Sequence, residues 1–196
     1  LEKLRLKGLF NLNGIETETP KMSKSGERKK GGIYYTPPGF TDLIVTKTLK
    51  DLIEERFNQI QIDSGLKRNE IFTDQPSSEA GKFWRGCFEV LRQIKVLDPA
   101  CGSGAFLIKA FDIFEERYID VLDHIEFHDK TFHAEHFDKV SEYILNNNLH
   151  GVDIVGEAVE ITQLALWIRS AKLEKSLADL SKNIICGNSL ITDKTV

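Results

Sequence analysis

Two carboxylates and two glycines are placed where chemistry could happen. Asp98 and Asp153 each close a short apolar run, "KVLD" and "LHGVD", and the first run continues into "PACGSGAFL". A strand that ends in a carboxylate and turns through Gly102 and Gly104 into a helix brings backbone close to whatever lies beyond the strand end. Three ligand chemistries compete for such a bend. A nucleoside triphosphate calls for GxxxxGK[ST] with a lysine facing the phosphates, but no Lys or Arg separates Asp98 from Lys109. Asp98 would also repel a phosphate. A dinucleotide calls for GxGxxG, and position 107 is Leu. That ligand stays open but is not favoured. S-adenosylmethionine has no phosphate and carries a sulfonium and an ammonium, which suit a bend presenting Asp98 and close-packed backbone. The alternative to all three is a tight strand-to-helix turn with no ligand.

The neighbourhood favours a ligand. Asp153 at the next strand end can accept both hydroxyls of a ribose, with the apolar Ile154 over an adenine face; its plainer role is to cap the helix that follows. The separation from Asp98 far exceeds the ~20 residues usual in dinucleotide sites. A polar, histidine-containing insert over 122–147 would account for the excess. Asn188, after "IICG", can accept from an adenine amino group, or serve as a turn residue. Cys101 sits in the bend with no base nearby in sequence, which reads as a small turn residue and not a nucleophile. His124 and His128, and His133 and His136, fall at helical spacing, yet there is no HExxH and no nearby cysteine, so a solvated insert is expected and no metal. Trp167, with Ile161, Leu164 and Ile168, is expected to pack in the core.

These residues need a scaffold. Leu43, Ile44, Leu49, Leu52, Ile53 and Phe57 recur at helical spacing from Thr41, residues 60–80 read as a loop, and a second helix is expected at 81–94. Then follow a strand at "KVLD", a helix over about 104–121, a strand at 149–153, an amphipathic helix through "EAVEITQLALWIRSAK", and a third strand with its exit loop in "KNIICGNSL". Strand–helix–strand–helix–strand predicts an α/β fold with a parallel sheet covered by helices on both faces and a helical N-terminal segment. All three candidate loops then fall at carboxyl ends of strands, where such sheets bind ligands.

Bulk properties narrow the classes. The 196 residues suffice for one domain. A formal net charge of −4 announces no global basic field, although "KMSKSGERKK" (21–30) is a local basic run, read as solvated or as an arm touching phosphate. Three scattered cysteines suggest free thiols in a reducing cytoplasm. No apolar run is long enough for a membrane helix. Residues 1–30 read as a polar tail or linker remnant, and Leu1 as a cut inside a longer protein, with 31–196 forming one ligand-binding unit.

Four stretches together resemble a known family. "GGIYYTPPGF", "VLDPACGSGAFL", "LHGVDI" and "IICGNSLI" are similar to motifs X, I, II and III of the gamma-class adenine-N6 DNA methyltransferases of restriction–modification systems, type IIG enzymes included. The resemblance covers roughly residues 28–192. It implies a Rossmann-like S-adenosylmethionine-dependent methyltransferase sheet. It also implies contacts to the cofactor: Tyr35, Thr36 and Pro37 at its methionine end, with Asp98 and the backbone of Pro99, Ala100, Cys101, Gly102, Ser103 and Gly104 around the same end. Phe106 would pack near the site, Asp153 would take the ribose, Ile154 the adenine face, and Asn188 with Ser189 the adenine edge. The family often has Asp where Asn188 stands, and a neutral amide makes the same bond with less charge assistance. The family's catalytic Asn/Asp/Ser-Pro-Pro-Tyr/Phe is not present; the single Pro-Pro, in "TPPG", belongs to motif X. The resemblance therefore implies no catalytic residue in this chain. It would be a cofactor-binding fragment, inactive alone and prone to self-association, of a parent that acts on double-stranded DNA. The rival readings are a methyltransferase for RNA, protein or small molecules, a non-catalytic DNA- or partner-binding subunit, and a nucleotide-binding oxidoreductase, which leaves "YYTPP" without a role.

Overall fold

A computed structural model describes residues 36–171 and 178–190. The polar segment 1–30, its basic run and Tyr35 lie outside the described residues. Pro37 leads into α1 (Pro38–Val45), where a proline at the first helical position costs no hydrogen bond. One π turn (Thr46–Lys50) joins α1 to α2 (Asp51–Ser64), and Gly65 ends α2 with φ of 68°. The face this segment buries is Val45, Leu49 and Ile53; Leu43 and Ile44, expected on it, are exposed. The loop expected over 60–80 is shorter than that, because α2 reaches Ser64 and α3 (Arg68–Ile71) follows.

Ser77 caps α4 (Ser78–Gln93), its Oγ accepting from the Ala80 N–H at 3.2 Å. Phe83, Trp84, Cys87, Phe88 and Leu91 form the buried face of α4. The central element is α5 (Ala105–His128), 24 residues long and extending past the expected end near 121. Gly81 lies against His128 (3.2 Å from where its Cβ would be) and Phe88 against Tyr118, so α4 runs antiparallel to α5. On another side, Asp42 pairs with Lys109, Lys50 with Glu116 (3.1 Å), and Glu54 with Arg117. Those three ion pairs ascend together, so α1 and α2 run parallel to α5. Thr36 and Pro37 accordingly fall level with the amino end of α5.

Residues 122–147 are helical almost throughout: the last turns of α5, then α6 (Lys130–His136), a 3-10 turn (Phe137–Lys139), α7 (Val140–Tyr143) and a π turn (Ile144–Asn148). Its histidines are packed, not simply solvated. His124 stacks on Trp84 at 4.0 Å, His136 Nδ1 lies 2.7 Å from the Tyr143 hydroxyl, and His128 Nδ1 accepts from the Ser77 N–H at 3.1 Å.

Among the described residues three parallel strands, β1 (Val96–Asp98), β2 (Leu149–Asp153) and β3 (Ile184–Cys186), lie in that order. Asp98 is level with Gly151, and Asp153 with Cys186. The chain is thus an α/β protein, mostly helical, around a small parallel sheet. Two asparagines fasten it. Asn148 is fully buried; its amide donates to the Leu91 and Ile94 carbonyls, both at 2.7 Å, and accepts from Tyr118 Oη at 3.2 Å. Leaving those groups unpaired would cost about 1–3 kcal/mol each. Asn183 ties the start of β3 to the Leu145, Asn146 and Leu149 carbonyls.

The last long helix is α8 (Gly156–Ser170). It buries Val159, Thr162 and Leu166, whereas Ile161, Leu164 and Ile168, expected in the core, are exposed. Trp167 is part-buried against the core and donates to the Ala178 carbonyl at 2.8 Å. Among the described residues, no helix is long and apolar enough to cross a membrane.

Candidate functional site

The bend from Asp98 to Gly104 is held from four directions. Asp98 Oδ1 accepts from the Ala100 N–H at 3.1 Å, turning the chain directly after β1. The Cys101 N–H donates to the Val152 carbonyl at 2.9 Å, and the Gly104 N–H to the Cys101 carbonyl at 2.8 Å. Asp153 reaches across from β2: Oδ2 accepts from the Gly102 N–H at 2.7 Å and Oδ1 from the Val155 N–H at 2.9 Å. Asp153 therefore turns the chain after β2 and carries the bend, but it does not cap α8 as its plainer reading has it: the N-cap is Val155, which has no side-chain cap bond. Gly102 and Gly104 have φ of 51° and 83°, the left-handed region where a side chain is strained.

Close approach is achieved from an unexpected side. In a GxGxxG bend the third glycine lets helix and strand meet; here that position is Leu107, which is fully buried. The glycine lies on the strand instead. A Cβ at Gly151 would meet Leu107 Cδ1 at 2.8 Å and Cys101 Sγ at 3.1 Å. Neither Gly151 nor Thr162, whose hydroxyl donates to the Gly102 carbonyl at 2.7 Å, stood out in the sequence. Gly151 was visible only as the glycine inside "LHGVD", and nothing local marked Thr162.

The electrostatics are those of an acidic bend. Burial pushes the Asp98 carboxyl above its ordinary value, the Ala100 N–H opposes this, and the Asp153 charge adds to it. Burial, with help from both carboxylates, pushes the Cys101 thiol up to about 11. Cys101 is therefore a protonated, packed thiol at neutral pH. Lys109, the first cation after the bend, is turned to Asp42 on α1. Among the described residues, no cation acts on Asp98 or Cys101, so none is left to meet a phosphate at this bend.

The other expected residues fall around the same strand ends. Ile154 follows β2 and is 67% exposed. The Gly187 N–H donates to the Asp153 carbonyl at 2.9 Å, which sets Asn188 and Ser189 beside the end of β2. Asn188 Oδ1 accepts from the Leu190 N–H at 2.9 Å, its turn role. Phe106 begins α5 and packs partly against the core. Pro99, Ala100 and Ser103 are exposed at the rim, and the ion-pair register puts Thr36 and Pro37 at the same end of α5.

Comparison with known proteins identifies the family. Residues 78–193, from α4 to beyond β3, match the family described as MmeI, DNA-methyltransferase domain. The chain belongs to that family. It is also 31% identical, over 87% of its length, to a protein of Methanocaldococcus jannaschii named as a type II restriction enzyme and methyltransferase, RM.MjaORFECS2P. A second relative, the adenine-specific methyltransferase BrxX of Escherichia coli O9:H4 (strain HS), is 26% identical over 74% of the chain. The chain spans only 15% and 11% of the length of these two relatives. What it represents is a methyltransferase domain of restriction–modification type, and the matched span contains Asp98, the bend, Asp153 and Asn188.

Proposed function

We propose that this methyltransferase domain holds S-adenosylmethionine at the carboxyl ends of β1, β2 and β3, in a Rossmann-like sheet. One observation carries the reading: two carboxylates, Asp98 and Asp153, meet at a glycine bend that offers no cation among the described residues. That donor set fits a ligand with an ammonium and a sulfonium and opposes one with phosphates. Bound S-adenosylmethionine supplies a methyl already activated on sulfur. The chain's own residues bind and orient. Asp98, the backbone of residues 99–104, Thr36 and Pro37 surround the methionine end, with Phe106 packing behind. Asp153 takes the ribose hydroxyls on the lone pairs its backbone bonds leave free, Ile154 covers the adenine face, and Asn188 and Ser189 meet its edge.

The substrate proposed for the whole protein is double-stranded DNA in the prokaryotic cytoplasm, methylated at N6 of an adenine extruded from the helix. The relative named as an adenine-specific methyltransferase supports that choice. With no Asn/Asp/Ser-Pro-Pro-Tyr/Phe in the sequence, this chain by itself binds the donor and transfers nothing.

Calorimetric titration with S-adenosylmethionine, NAD and ATP tests the reading. The expected result is saturable binding of the first alone, weakened at least tenfold by Asp153→Ala, about the worth of one charge-assisted hydrogen bond. Tighter binding of NAD would overturn it.

A further inference from the structure

The cofactor bend is governed by a residue on another element, one that none of the four motifs contains. Thr162 lies in the middle of α8, with its side chain fully buried. Its hydroxyl donates to the Gly102 carbonyl at 2.7 Å. Its Cγ2 stands 2.8 Å from where a Cβ on Gly104 would be, so the bend is pressed against this one side chain.

The consequence lies in the peptide geometry. The Gly102 carbonyl belongs to the peptide that joins residues 102 and 103, and the N–H of that peptide is Ser103's. Every described peptide is trans. In a trans peptide the C=O and N–H point in opposite directions. Drawing the Gly102 carbonyl toward α8 therefore turns the Ser103 N–H away from α8, outward at the exposed rim of the bend. Among the described residues the Ser103 N–H has no partner. The preceding peptide is fixed as well, since the Gly102 N–H donates to Asp153. Both peptides flanking Gly102, a residue free to adopt many conformations, are thereby locked in one.

We infer that Thr162 is the positioning residue of the bend, aiming the Ser103 N–H at the carboxylate of a ligand with an amino-acid end. The inference rests on the cofactor reading above and deepens it. The hydroxyl carries the effect. Valine at 162 keeps the shape but leaves the Gly102 carbonyl without a donor, so the 102–103 peptide is free to rotate. Serine keeps the donor and gives up only the methyl.

The test is calorimetric titration of the 196-residue chain with S-adenosylmethionine, for the wild type and for Thr162→Val, Thr162→Ala and Thr162→Ser. Each variant is first checked for a cooperative thermal melt, and either hydroxyl-free variant that melts cooperatively supplies the comparison. Loss of about tenfold in affinity in Val or Ala, the scale of one or two hydrogen bonds, with Ser within about twofold of wild type, is the expected pattern. Wild-type affinity in Val or Ala would overturn the assignment while leaving the cofactor reading intact. Equal losses in Ser and Val would overturn it too, since packing and not the hydroxyl would then matter. A wild-type chain that binds no S-adenosylmethionine would sink the cofactor reading and this inference with it.

Discussion

At the scale of single residues, the free bend is under electrostatic tension. Asp98 is held above its ordinary value of 3.8, first by burial and further by the charge on Asp153. A carboxyl raised in the folded state binds its proton more tightly there than in the unfolded chain. Stability is then highest below the ordinary value and falls as pH rises through the raised one, remaining lower at neutral pH. Asp98→Asn keeps an acceptor for the Ala100 N–H and removes the charge. The variant should melt higher than wild type at pH 7, with a smaller difference at pH 4, and should bind S-adenosylmethionine more weakly. A melting difference that is flat with pH would refute the argument. Asp98, Gly102, Gly104 and Asp153 were legible in the sequence because a strand-end carboxylate and a glycine bend are local patterns. Gly151 and Thr162 were not. Their roles arise only when β2 and α8 are brought against the bend, and no local spacing encodes that meeting.

At the scale of elements, the join between α4 and α5 depends on a neutral imidazole. His128 Nδ1 can accept from the Ser77 N–H only while unprotonated, and Ser77 is the residue that caps α4. Burial lowers the His128 pKa from 6.5, with His124 adding to the effect, and burial lowers that of His136 as well. For a histidine depressed in the folded state, stability is lost as pH falls below about 6.5 and through the lowered value. Thermal melts between pH 7 and 5 should therefore show a decline that is shallower in His128→Asn, which keeps an acceptor without titrating. Equal slopes would show that His128 takes no part. Strands and most helices were legible from periodicity. The carboxyl end of α5 was not, since its polar composition hides His124, whose ring stacks on Trp84. The inward face of α8 was also missed. That helix carries apolar residues on two sides, and only the sheet decides that Val159, Thr162 and Leu166 go in.

At the scale of the molecule, apolar surface remains open. Leu97 on β1 is 62% exposed and Ile168 on α8 is 69% exposed, with Ile161, Leu164 and Ile185 also accessible. Among the described residues β1 pairs with β2 alone, leaving its other edge unpaired. A net charge of −4 offers little repulsion between copies of a 196-residue chain. The chain should associate with itself as concentration rises, and light scattering will show the mass increasing; a constant monomer mass throughout would contradict this.

The meeting of Leu107 and Gly151 has a bearing on engineering. The glycine that permits close packing was moved from the helix to the strand, so the two positions can be changed only as a pair. A side chain at 151 would overfill the contact, at about 1–3 kcal/mol, while glycine at 107 would hollow it. Transplanting "DPACGSGAFL" into another sheet would thus fail wherever the adjacent strand lacks a glycine level with Asp98. The portable cassette is the bend together with β2.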